Sequence, residues 1–306
     1  MADSPKPKSL YTIKLTPDQM EKLKGYLDHH LWSYYEVDHA LFGFKGDKVN
    51  VVGYKSGKLV IQGKKTEDFV TNILEPEITK EALLGYDEVH HPEWFEAHAG
   101  LDESGKGDLF GPLVVATVIA DGDMVREWMA KGIRDSKSVT SDRKIFDLEK
   151  QIRETKGVII ETAWANMPKY NKLYSKIGNL NKLLAWFHAR ALENALDKRM
   201  VDWGLLDQFT KQPLTQRLLK KHSGFDLKQR TKAEEDPVVA AASIIARAQY
   251  VKSIKKLEEA AGVTLPKGSG AQAKKALGEL IAKIGKDEIH QFAKLHFKTV
   301  AEVTGS

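Results

Sequence analysis

Apolar residues alternate over residues 9–15, 40–45, 48–54 and 58–62, which predicts strands. A fifth strand-like run covers 31–37. Gly46-Asp47 and Ser56-Gly57 punctuate the later strands as tight hairpin turns. After the first strand, Thr16-Pro17 offers an N-cap and a proline at the first helical position, and Met20, Leu23 and Leu27 follow at helical spacing. A second helix is expected with Thr66 as its cap and Phe69, Val70, Ile73 and Leu74 inside. Strand, helix, meander and helix make a small α+β unit, an antiparallel sheet with helices on one face and the other face free.

The pattern changes at residue 97. Strands are expected over 97–103, 112–120, 158–163 and 201–206, and helices over 124–131, 142–155, 168–176, 180–198, 238–261, 271–283 and 287–295. Strands mixed with helices of this length mean an α/β layer structure. The helix opened by Asp236-Pro237 is small and apolar on every side over 238–247, so it is expected to be buried and packed closely on the sheet. Its Ser243 reads as a packing residue, since no Gly-x-Ser-x-Gly elbow surrounds it.

Length and charge divide the chain. At 306 residues two domains are expected. Residues 1–65 carry eleven lysines against seven acids, whereas 66–98 carry nine acids against Lys80 alone. That reversal, with Pro76 and Pro92, places an acidic linker at 76–96 between a domain at 1–75 and a larger one at 97–306. The absence of cysteine excludes disulfides, thiolate metal sites and cysteine nucleophiles. No apolar stretch resembles a signal peptide, and the longest apolar run, near 113–120, is far below the roughly 20 residues a membrane span needs. A soluble cytoplasmic protein is the expectation. The net charge of +5 is compatible with a polyanionic partner.

Three places carry candidate chemistry. The strand over 97–103 ends in Asp102 and Glu103 and runs into Ser104-Gly105-Lys106-Gly107-Asp108. Carboxylates at a strand end can ligate a hard cation such as Mg²⁺, and glycines let the backbone approach a ligand. The same residues also fit a polar turn with solvated acids. Asp207 follows its own strand as Asp102 does, and acids at the ends of neighbouring strands would meet at one rim; a turn aspartate fits as well. Glu234 precedes the long helix, where an acid is also an ordinary cap. Lys211, Arg217, Lys220, Lys221, Lys228, Arg230 and Lys232 gather before that helix, either to track phosphates or as a solvated face. Trp32, Tyr34, Tyr35, Phe42 and Phe44 fit a core better than a stacking platform.

Together these residues resemble a family. The run from Gly100-Leu101-Asp102-Glu103 through Gly105-Lys106-Gly107 to Gly111-Pro112 is similar to the signature of the type 2 ribonucleases H, most closely the HIII type. Asp135-Ser136-Lys137, Leu206-Asp207-Gln208-Phe209, Lys232-Ala233-Glu234 and Ala293-Lys294-Leu295-His296-Phe297 follow in that family's order. Glutamate at 234 points to HIII, where HII has aspartate. The resemblance implies a ribonuclease H-like mixed sheet with flanking helices, preceded by a small α+β domain similar to a TATA-binding-protein repeat that holds the substrate. It implies catalytic and metal-ligating roles for Asp102, Glu103, Asp207 and Glu234 with two Mg²⁺ or Mn²⁺ ions. Substrate contacts are implied for Gly105, Lys106, Gly107, Ser136 and Lys137, the turn reading ribose 2′-hydroxyls through its backbone. The implied partner is an RNA–DNA hybrid, met by a monomer without a membrane or an obligate protein partner. The implied reaction is endonucleolytic cleavage of the RNA strand. Incision at single ribonucleotides in DNA, a silent hybrid-binding module and a DNA nuclease are the alternatives. One geometrical demand follows: neighbours on a regular strand face opposite sides, so the strand should end or bend at Asp102-Glu103 for both to share a site.

Overall fold

The structure is a computed structural model that describes residues 9–133, 139 and 141–305. The chain divides into two compact units, Met1–Pro92 and Glu93–Ser306.

In the first unit, β1 (Leu10–Lys14), β2 (Ser33–Tyr34), β3 (Ala40–Gly46), β4 (Val49–Tyr54) and β5 (Lys58–Gly63) form an antiparallel sheet in the order β1-β5-β4-β3-β2. Helix α1 (Pro17–His29) starts with a complete capping box: Thr16 accepts from the Gln19 N–H, and the Gln19 side chain accepts from the Thr16 N–H. Met20, Leu23 and Leu27 enter a core with Phe42, Phe44, Val51, Leu59 and Ile61. Asp47 and Lys48 both have positive φ, the type I′ geometry that matches strand twist in a two-residue hairpin.

Three expectations fail here. The strand over 31–37 shrinks to Ser33–Tyr34. Thr66 does not cap its helix; its hydroxyl donates to the Gly63 carbonyl from inside the first turn of α2 (Thr66–Phe69). The acidic segment at 76–96 does not run as a linker from residue 76. A π-helical stretch continues over Val70–Thr79, Ile78 joins the core and Leu84 packs on it. The buried Glu75 carboxylate accepts from the N–H groups of Leu83 and Leu84, which fixes the return of the chain. Apolar contacts and two charge-assisted hydrogen bonds outweigh the segment's negative charge. Helix α3 (Asp87–His90) closes the unit.

The second unit is built on a mixed sheet of β6 (His98–Ser104), β7 (Val114–Ala120), β8 (Ile159–Trp164), β9 (Trp203–Asp207) and β10 (Asp226–Arg230), in the order β10-β9-β6-β7-β8. β9 runs parallel to both β6 and β10, and β7 is antiparallel to β6 and β8. β7 is buried along its whole length, as a strand covered on both faces must be. One face carries α9 (Pro237–Ala261) with α4 (Gly122–Ala130), α5 (Asp142–Glu154) and α10 (Ala271–Ile284). The opposite face carries α6 (Met167–Ile177) and α7 (Leu180–Leu196). Short α8 (Leu214–Leu218) precedes β10, and α11 (Lys298–Thr304) ends the fold. The helix expected over 287–295 is a 3-10 turn at Asp287–Gln291, after which Ala293 bridges to Phe110. Among the described residues no helix is long and apolar enough to cross a membrane.

α9 packs closely on β6. A Cβ on Gly100 would lie 2.4 Å from the Val238 carbonyl carbon and 2.5 Å from the Val239 nitrogen, both backbone atoms that cannot rotate away. Gly100→Ala should therefore cost about 1–3 kcal/mol or more through overpacking. Gly278→Ala is its counterpart inside α10, where a Cβ meets nothing within 4 Å, and should gain about 0.5–1 kcal/mol from helix propensity. Urea unfolding of both variants checks the pair, and equal effects would refute the close contact.

Candidate active site

Strand pairing decides where the acids fall. Leu101 of β6 is in register with Leu206 of β9, so the next residues, Asp102 and Asp207, stand side by side, about 4.8 Å apart along the sheet. Leu101 and Leu206 point into the α7-side core. Alternation therefore turns Asp102 and Asp207 to the α9 face, with Trp203 and Leu205. There Asp102 accepts hydrogen bonds from Ser243 of α9 and from the Glu103 N–H, the latter at 2.7 Å. Ser243 was missed as a site residue, because nothing local distinguishes a serine that packs from one that faces a carboxylate on another element.

Glu234 comes in through the backbone. Asp207 Oδ1 accepts from the Ala233 N–H at 3.0 Å, which ties the 3-10 turn Ala233–Glu235 to the end of β9. Lys232 enters that turn with φ +60°, and Asp236 ends it by capping α9 through the Val238 and Val239 N–H groups. Asp236 also accepts from His98 in a fully buried contact of 3.2 Å.

Glu103 differs. The strand neither ends nor bends at Asp102-Glu103, since the β6–β7 register stays regular through Ser104↔Val114. Glu103 therefore faces the α7 side. Its Oε2 accepts from His188 of α7 at 3.2 Å, and Lys106 Nζ lies 3.7 Å from Oε1. Among the described residues no group of three acids or histidines stands at metal-ligand spacing. What the site offers is an all-oxygen donor set with its charge unbalanced. Burial, then the charges of Glu103 and Asp207, push the Asp102 carboxyl up to about 8, against the pull of its two hydrogen bonds. A hard divalent cation is the ligand that such a set fits.

The glycine-rich turn is held from outside. Gly105 has φ +88°, and a Cβ there would strike the Pro112 carbonyl at 2.3 Å, whereas Gly107 faces open space. Beyond it, Lys294 N donates to Leu109 O, Gly111 N to Phe292 O, and Leu109 N to Gly268 O. The Lys294 side chain is fully buried, its Nζ donating to the carbonyls of Asp108 at 2.7 Å and Gly111 at 2.6 Å. The expected contacts Ser136 and Lys137 lie outside the described residues.

The chain as a whole is similar to known proteins. The ribonuclease HII family model matches residues 99–300, and a model for a domain of unknown function matches 11–82. Ribonuclease HIII of Chlamydia pneumoniae is 37% identical over 297 residues, 96% of this chain and 97% of its own. The chain belongs to the ribonuclease HIII family. Ribonuclease HIII of Protochlamydia amoebophila is 37% identical over 253 residues, 82% of each chain. Among solved structures, Bst-RNase HIII in complex with Mn²⁺ is 28% identical, with a TM-score of 0.66 over 97% of this chain and 98% of that one. RNase HII from Archaeoglobus fulgidus, solved in a PCNA complex, is 28% identical with a TM-score of 0.55, over 67% of this chain and 96% of that one. The shorter HII match fits the extra first unit of the HIII type.

Two charge predictions follow for this ribonuclease HIII family member. The folded protein holds a proton on Asp102 up to about pH 8, while the unfolded chain loses it near 3.8. The native state thus binds more protons across that window, and stability falls as pH rises through it. Without metal, Asp102→Asn should melt above wild type at pH 7–8, and should lose most of the gain that Mn²⁺ gives wild type, about 2.7 kcal/mol at a hundredfold excess over Kd. Thermal melts with and without Mn²⁺ measure both; a variant melting below wild type without metal would contradict the charge argument.

Lys294 has the opposite sign. Burial lowers its amine from 10.5 to about 7, partly offset by Asp108. Between about pH 7 and 10.5 the unfolded chain binds the extra proton, so stability rises with pH there, by at most about 1.4 kcal/mol per unit. Lys294→Met should flatten that rise in urea titrations at pH 7, 8 and 9, and an unchanged slope would place the titration elsewhere.

Proposed function

We propose that this chain is an endonuclease that hydrolyses the RNA strand of RNA–DNA hybrids, leaving 5′-phosphate and 3′-hydroxyl ends, with two Mg²⁺ or Mn²⁺ ions held by Asp102, Glu103, Asp207 and Glu234. The observation that carries the reading is the in-register pair Asp102 and Asp207, with the Glu234 turn bonded to Asp207 and the glycine-rich turn at the end of the same strand. When bound, the ions supply Lewis acidity, activating a water and stabilising the leaving 3′-oxygen. The protein's share is placement. Ser243 and the Glu103 N–H hold the Asp102 carboxylate in one orientation. The Asp207–Ala233 hydrogen bond sets the distance from β9 to the Glu234 turn.

Discrimination between RNA and DNA belongs to the turn. Backbone N–H groups of Gly105, Lys106 and Gly107 can meet a 2′-hydroxyl, a group that DNA lacks. The clamp of Lys294 on Asp108 and Gly111 keeps that backbone from adapting to other substrates. The first unit holds the hybrid. Supporting this, Ser33, Tyr34, Tyr35, Lys45 and Asn50 line a shallow cavity of about 390 Å³ on its sheet.

The test incubates the protein with a labelled RNA–DNA hybrid and Mg²⁺ or Mn²⁺, beside Asp102→Asn, a duplex with one ribonucleotide and an all-DNA duplex. Cleavage of the hybrid should fall at least about 10³-fold in the variant, the scale of losing a metal-aligned nucleophile. Preferred cutting of the one-ribonucleotide duplex would move the protein to repair-type incision. Cutting of DNA would refute the role of the turn, and binding without cleavage would leave a hybrid-binding module.

A further inference from the structure

We infer that His188 is a positioning residue for Glu103, setting that carboxylate's capacity to take part in the divalent-metal site. The inference rests on the nuclease reading above. It starts from a topological problem. Asp102 and Asp207 share the α9 face, but Glu103 lies on a regular part of β6 and emerges on the α7 face. A carboxylate that must serve ions from the far side of its strand needs its free rotation removed.

His188 is built for that task. It sits on the inner stripe of α7, one turn from Leu184 and Leu192, and is fully buried. Those neighbours are apolar, so an imidazole here is costly unless it is used. A carboxylate only accepts, so His188 Nε2 carries the proton in the 3.2 Å contact to Glu103 Oε2. The other ring nitrogen, Nδ1, is buried and has no hydrogen-bond partner among the described residues. A leucine or phenylalanine would fill the position with no such penalty. The ring also stacks on Phe209, centroids 5.4 Å apart and planes within 9°. Phe209 follows Asp207 by two residues, so the same imidazole joins the end of β6 to the segment leaving β9. Oε2 is thus committed to His188. Among the described residues Oε1 meets only the half-buried Lys106, and is the oxygen able to exchange a lysine for a metal ion.

A hydrogen bond that orients a ligating carboxylate is worth about 10–100-fold in metal affinity. His188→Leu removes the donor and keeps the bulk, whereas His188→Gln keeps an N–H at nearly the same reach. Calorimetric titration of each full-length protein with Mn²⁺, without nucleic acid, reads the effect directly. The expected result is at least about tenfold weaker Mn²⁺ binding in His188→Leu, with affinity restored to within about threefold in His188→Gln and with His188→Leu melting no lower than wild type. If His188→Leu does not fold, His188→Asn, polar but too short to reach Glu103, takes its place under the same criterion. Mn²⁺ binding in the Leu or Asn variant within about twofold of wild type overturns the inference, as does equal weakening in Gln and Leu. Because no substrate is present, failure here leaves the hybrid-cleavage assay untouched, and failure of that assay leaves this binding comparison readable.

Discussion

The active-site region depends on how near one helix backbone comes to one strand. α9 lies against β6 at Gly100, where a single methyl group would collide with three backbone atoms. That approach brings Ser243 down to Asp102 two residues further along the strand. It also places the start of α9, and with it the 3-10 turn bearing Glu234, at the rim where β6 and β9 end. Small residues at 240–242 are part of the same requirement, since larger ones would lift the helix off the sheet. A packing constraint thus becomes a constraint on where carboxylates stand.

The second constraint is electrostatic and opposes the first. Packing brings Asp102 into the protein beside two other acids, and burial is the largest cause of its raised pKa. The site is stable without metal only because that charge is suppressed by protonation or spread over hydrogen bonds. Glu103 adds to that cost through its charge, although its own carboxylate meets His188 and Lys106 on the other face.

Much of this was legible before any coordinates. The alternation over 40–62, the Thr16-Pro17 start and the Asp236-Pro237 start report local chemistry, and each element appears within a residue or two of its expected place. Asp207 was readable as a strand-end acid, whereas β6 runs past Asp102 to Ser104. The missed features depend on partners distant in the chain. β10 was hidden because Lys228 and Arg230 look like part of a charge run, although Leu227 and Gln229 alternate with them and Leu227, with Phe225 just before the strand, enters the core. The linker expectation failed for the converse reason: net charge drew attention from Ile78 and Leu84, whose burial decides the structure. The end or bend expected at Asp102-Glu103 is absent because pairing with β7 keeps β6 regular through Ser104, a constraint set by a partner strand.

Lys294 shows how far a distant partner can reach. Its side chain donates to carbonyls more than 180 positions away in sequence, and it does so from a site with no solvent exposure. A cation without a bonded carboxylate is an expensive way to join two loops if stability is the only criterion. It has a geometrical merit that an apolar contact lacks. Two short hydrogen bonds to the carbonyls of Asp108 and Gly111 fix the orientation of those peptide planes, whereas packing fixes only the position of the loop. The residues beside those planes form the glycine-rich turn, whose proposed task is to present N–H groups in one direction. A turn that reads a single hydroxyl gains more from oriented peptides than from extra stability, and a buried lysine meets that need.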